Sequence, residues 1–146
     1  MKPALQSPID ISYVKLYLLL PLILAAFERD KKLIEANFKT PRPYVILIDE
    51  AIKKVEWEMR EVRKKFRELG LKVYEEIRTE KGVEAKYLCR GYHHTVSLLP
   101  YFVAAEASVL MEKYLGMDIF RYISTSEPNN RDKFKSPSDS MSNDFS

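Results

Sequence analysis

The chain has 146 residues, the size of one domain, and its 24 Lys and Arg against 21 Asp and Glu leave a net charge of +3. That balance is too small to mark a nucleic-acid-binding chain by bulk charge, while 46% hydrophobic residues are enough for a core and exclude wholesale disorder. Four glycines argue against an all-β sandwich and against glycine-rich phosphate loops. A single cysteine excludes a disulfide framework or a CxxC zinc site and fits a reducing, cytoplasmic compartment.

Residues 16–27 (LYLLLPLILAAF) form an uncharged run that falls short of the roughly 18 to 20 residues needed to cross a bilayer. The run also lacks the cationic start and small-residue cleavage site of a signal peptide. The expectation is a core helix over residues 12–37, with no integral membrane span. Pro21 inside it removes one hydrogen bond and predicts a kink or a restart. Ile23, Ala26, Phe27, Ile34 and Phe38 keep helical spacing, while Leu16, Leu18, Leu19 and Leu20 are apolar on every side. A helix greasy all round must be covered all round, and a second subunit is one source of that cover.

The second helix is the clearest element. Thr40 is its expected N-cap and Pro41 its first residue, with Pro43 tolerated in the first turn and Gly70 as the left-handed stop. Ile48, Ile52, Val55, Met59, Val62, Phe66 and Leu69 recur at alternating steps of four and three, an apolar seam of the kind that packs helices at a shallow angle. Asp49 and Glu50 near its start and Arg63, Lys64, Lys65 and Arg67 near its end suit the helix dipole.

After Gly70 the period changes to alternation. Leu71, Val73 and Ile77, a turn at residues 79–82, then Val83, Ala85, Tyr87 and Cys89 predict a β-hairpin over residues 71–78 and 83–90. Two strands are not stable alone, so the hairpin must lie on the helices or pair with another chain's edge. Residues 91–99 carry no clear signal. A third helix is expected from Pro100, with Ser97 as a candidate upstream cap. Val103, Ala107, Leu110, Met111 and Tyr114 form its buried face, and Gly116 is its stop. Residues 118–123 form an aromatic coda expected to pack back.

The expected fold class is therefore mainly α (α+β). It is a bundle of three helices with a β-hairpin between the second and third, forming one domain over residues 1–123. Residues 124–146, with seven serines and two prolines, read as a disordered tail.

The outer face of the second helix is the candidate site. At 100° per residue Lys53, Trp57, Arg60, Lys64 and Arg67 fall within an arc of about 80°, almost opposite the seam. The stripe is about 21 Å long at 1.5 Å per residue. Glu56, Glu58, Glu61 and Glu68 flank it. A cationic rail with one aromatic plate suits phosphates or an acidic partner protein. The plain alternative is a solvated face, whose Glu56–Arg60 and Glu61–Lys65 spacings each contribute a few tenths of a kcal/mol. Tryptophan rarely sits opposite a seam without something covering it, and the hairpin is an intramolecular candidate for that cover.

Other constellations point to packing rather than chemistry. His93 and His94 are adjacent and so face opposite ways on a strand, with no acid or second cysteine at ligand spacing, which leaves no metal site. Cys89 belongs to the alternating pattern of a buried position. Glu75-Glu76, Asp49-Glu50, and Glu106 with Glu112 lack the register of a catalytic pair. Glu-x-x-His, the Walker lysine loop, GxGxxG and GxSxG are all missing. No enzyme and no cofactor are expected.

Several short elements carry a family resemblance over residues 20–115. They are Leu20-Pro21, Arg29-Asp30, Pro43-Tyr44, Ala51-Ile52-Lys53-Lys54-Val55, Leu71-Lys72-Val73, Arg90-Gly91-Tyr92 and Glu112-Lys113-Tyr114-Leu115. In these the chain resembles the YhjD-like proteins of bacilli and their mobile elements. The resemblance implies a compact α-rich fold in a Gram-positive cytoplasm or a phage context, and it assigns no activity or site. The histidine pair and the serine-rich tail depart from the pattern. The functional expectation is a non-enzymatic interaction or regulatory module, a homodimer through residues 16–26 or the helix seams or a binder of a protein partner. A nucleic-acid accessory protein using the rail is the alternative. Membrane-surface association through the leucine-rich first helix stands third.

Overall fold

The structure is a computed structural model, and it describes residues 6–117. The expected coda at residues 118–123, the tail at residues 124–146 and the boundary between them lie outside the described residues. Contacts divide the chain into Met1–Leu115 and Gly116–Ser146, and the three helices and three strands all belong to the first unit.

Helix α1 runs from Pro8 to Asn37. It begins four residues before the expected start because Ser7 and Asp10 close a capping box. The Asp10 N–H donates to Ser7 Oγ at 3.2 Å, and the Ser7 N–H donates to Asp10 Oδ2 at 2.9 Å. An aspartate takes the position that glutamate or glutamine usually fills. Pro21 lies inside this helix, which continues through it as one element. Helix α2, Arg42–Leu69, is an unbroken rod of 28 residues. Pro41 rather than Thr40 is its N-cap, and no side chain caps it. Gly70, at φ +69°, stops it as expected.

Three strands follow: β1 (Leu71–Thr79), β2 (Gly82–Cys89) and β3 (Tyr92–Leu98). They form an antiparallel sheet in the order β1-β2-β3. Helix α3, Pro100–Tyr114, closes the described chain. The architecture is thus a helical hairpin, then a three-stranded meander, then a helix. It is an α+β fold and not a three-helix bundle with an inserted hairpin.

The correction comes from residues 90 and 91. Arg90 (φ +49°) and Gly91 (φ +89°) form a two-residue turn with both central residues at positive φ, the geometry that matches strand twist. Asparagine or aspartate ordinarily announces such a turn, and arginine in that place hid it. Tyr92 then pairs with Cys89, His94 with Tyr87 and Val96 with Ala85. Ser97 accordingly pairs with Glu84 in the ladder and does not cap α3; Leu99 holds the N-cap position without a side-chain bond.

A register shift between Val73 and Glu75 changes β1 as well. One extra residue inverts side-chain parity. Ile77 therefore leaves the face of Leu71 and Val73 and is 46% exposed.

The core is built by Val14, Leu18, Leu19, Leu20, Ile23 and Phe27 of α1 and Ile48, Ala51, Val55, Val62 and Phe66 of α2. Val83, Ala85, Tyr87 and Cys89 of β2, with Leu71 of β1, Leu98 of β3 and Tyr114 of α3, join it. The all-round grease of α1 is covered largely by its own protomer, with Leu16, Leu22 and Leu24 packed partly against the same cluster. On α3 only Tyr114 is buried outright. Val103, Ala107, Leu110 and Met111 are half-buried against the core.

Candidate interaction surface on the second helix

Lys53, Trp57, Arg60, Lys64 and Arg67 are all exposed on α2, opposite the seam of Ile48, Val55, Val62 and Phe66. Trp57 is 54% exposed, and the sheet does not cover it as the intramolecular alternative required. The rail is not uniform. Lys53 lies 3.8 Å from Glu50 and Lys64 3.7 Å from Glu61, each pair one turn apart. Among the described residues Arg60 and Arg67 form no ion pair. Exposed pairs of this kind contribute a few tenths of a kcal/mol at most, so a partner separates them at little cost.

Trp57 also lines a groove of about 360 Å³ that the periodicity of one helix could not show. Glu50, Lys53, Lys54 and Glu58 line its α2 side, and Lys113 and Tyr114 line its α3 side. Lys54 Nζ donates to the Tyr114 carbonyl at 3.4 Å and ties the end of α3 to α2. Lys113 Nζ stands 5.6 Å from the Tyr114 ring centroid. The Tyr114 hydroxyl is buried and has no hydrogen-bond partner among the described residues. Burial chiefly, with the Glu58 charge adding to it, pushes its pKa well above the usual phenol range. The site therefore has an indole plate and three ammonium groups, with two carboxylates between them.

The remaining chemistry-bearing residues are held in structural contacts. His93 Nδ1 and the Tyr74 hydroxyl share a 2.9 Å hydrogen bond on one face of the sheet; on the other face His94 stacks on Tyr87 with centroids 5.5 Å apart. Cys89 is buried, and burial with the nearby Asp10 charge raises its thiol pKa. No three potential ligands stand close enough to hold a metal among the described residues.

Sequence reasoning missed one strong cluster. The Asp10 carboxylate is almost fully buried and receives Arg90 Nη2 at 2.7 Å, while Arg90 Nη1 donates to the Leu69 carbonyl at 2.7 Å. The guanidinium above all, with the Ser7 bonds, lowers the Asp10 pKa to about 2 against the opposing effect of burial. Eighty residues separate the partners, so no local pattern announced the pair. It clamps together the start of α1, the end of α2 and the β2–β3 turn.

The model of the YhjD protein family matches residues 5–119, a span that contains all three helices and all three strands. The chain belongs to the YhjD family. No curated protein and no solved structure matches it. The YhjD-like elements named from the sequence map onto fold positions: Arg90-Gly91 makes the β2–β3 turn, Leu71 to Val73 opens β1 before its bulge, and Lys113-Tyr114 lies on the groove.

Proposed function

We propose that the protein is a non-enzymatic interaction module of a Gram-positive cytoplasm, whose contact surface is the outer face of α2. Its partner is a protein segment that carries an acidic side chain next to an apolar one. The observation that carries this reading is Trp57, half in solvent at the mouth of a groove lined by Lys53, Lys54 and Lys113. An exposed indole among cations offers apolar area and cation–π contact together. The non-enzymatic reading is supported by where the shifted pKa values fall. Asp10, Arg90 and Cys89 sit together in a buried clamp, and Tyr114, which lines the groove, is shifted by burial above all.

Nucleic-acid binding is a second reading, supported by the consecutive exposure of Arg60, Lys64 and Arg67. Glu50 and Glu58 in the groove weigh against it. Affinity capture with the full chain, with and without nuclease, separates the two. The protein reading expects a nuclease-resistant partner that Trp57→Ala and Arg60→Glu both lose, with unchanged circular dichroism. Capture abolished by nuclease, with binding that weakens steeply in salt, would transfer the surface to nucleic acid. A self-associating chain would appear as a dimer in sedimentation at micromolar concentration.

A further inference from the structure

The connection between α1 and α2 presents a surface of another kind. Phe38 and Tyr44 meet edge to face with centroids 5.3 Å apart. Both are about half exposed, as are Leu33, Ile46 and Leu47. At 1.5 Å per residue, Leu33 on α1 and Leu47 on α2 lie within about 8 Å of the end of the hairpin. Five large exposed apolar side chains thus lie near the end of the helical hairpin. Isolated exposed hydrophobics need no explanation, but five so close together along one helix–helix connection do.

Charge narrows the choice of occupant. Residues 32–48 contain Lys32, Lys39 and Arg42 against one carboxylate, the exposed Glu35, so the cations still prevail. Asp49, the first acid on α2, is occupied by Lys31 at 2.8 Å. Lys32, Lys39 and Arg42 form no ion pair among the described residues. The Asn37 amide is turned back onto the Leu33 carbonyl at 2.8 Å, so the end offers few side chains for polar protein-to-protein hydrogen bonding. What it offers is grease and positive charge.

We propose that this end of the helical hairpin docks on an anionic phospholipid surface. Phe38, Tyr44, Ile46 and Leu47 enter the boundary between headgroups and acyl chains, and Lys39 and Arg42 contact lipid phosphates. The reach of about 8 Å matches the 5 to 10 Å to which interfacial apolar residues sink. Tyr44 places an apolar ring and a hydroxyl where such rings concentrate. The leucine-rich stretch of α1 takes no part, because Leu18, Leu19, Leu20 and Ile23 are in the core.

The test is co-sedimentation of the full chain with vesicles of phosphatidylcholine alone and of phosphatidylcholine mixed with phosphatidylglycerol. Binding is expected to the mixed vesicles only, and to weaken as salt is raised. Lys39→Ala with Arg42→Ala should lower the partition coefficient about 30-fold. Phe38→Ser with Leu47→Ser should abolish binding, while Trp57→Ala leaves it unchanged. As an independent readout, Tyr44→Trp in a Trp57→Phe background should shift its emission to the blue on addition of the mixed vesicles. No partition, equal partition to both vesicle types, binding retained by Phe38→Ser with Leu47→Ser, or binding lost with Trp57→Ala would each overturn the proposal. A protein docking on this end would give the first of those results.

Discussion

Replacing Asp10 by asparagine removes the charge of the buried clamp while keeping its shape. The Asp10 carboxylate is 2% exposed and bonded to Arg90 Nη2 at 2.7 Å, with Ser7 and the Cys89 thiol (3.7 Å) among its other partners. These contacts hold its pKa at about 2, below the usual aspartate range. At about 1.36 kcal/mol per pH unit, that displacement corresponds to about 2 to 2.5 kcal/mol of folding stability. The sign follows from the depressed value. The unfolded chain takes up the proton first as pH falls, so the contribution is complete above about pH 5 and is lost progressively towards about pH 2. Urea unfolding of wild type and Asp10→Asn should therefore differ by about 2 kcal/mol near neutral pH. The difference should shrink steadily below pH 5, while the other carboxylates cancel between the two proteins. A gap that stays constant down to acid pH would refute the charge argument. It would mean that Asp10 acts only as a cap.

Four further outcomes are expected. A Cβ at Gly82 (φ +114°) would stand 2.0 Å from the Leu98 carbonyl oxygen, so Gly82→Ala should cost more than about 2 kcal/mol in urea unfolding. Trp57, the only tryptophan, should emit as a solvated indole and be quenched by iodide, and Trp57→Ala should change stability by less than about 1 kcal/mol. Tyr114→Phe should be neutral or stabilising, because it removes a buried hydroxyl that has no partner among the described residues; a large loss would reveal a bonded hydroxyl. Cys89 should react with thiol reagents far more slowly in the native protein than in urea, since burial raises its pKa and shields it.

The sequence carried most of what depends on local periodicity. The seam of α2, its glycine stop, and the strands on either side of the turn at Glu80 and Lys81 could all be read, because each is fixed by neighbours three or four residues away or by simple alternation. The cationic stripe was legible for the same reason, since a face of one helix is set by 100° steps. What escaped depends on partners remote in sequence or on unusual turn chemistry. Strand β3 was lost because Arg90 occupies a positive-φ position that a Cβ disfavours, where its N–H bond to the Gly70 carbonyl, its side-chain bond to the Leu69 carbonyl and its pairing with Asp10 help to hold it. The bulge after Val73 reversed the face of Ile77 with no residue to signal it. The groove at Trp57 was half visible: α2 supplied its lysines, but Lys113 and Tyr114 arrive from 60 residues away.

The measurement closest to the central claim is photo-crosslinking in cells with a photoreactive phenylalanine analogue in place of Trp57, compared with the same analogue at Lys86 on the sheet. The outer face of α2 as a protein-contact surface predicts a discrete, nuclease-resistant protein adduct at 57, absent at 86 and lost on adding Arg60→Glu. Equal labelling at both positions, or none at 57, would contradict it.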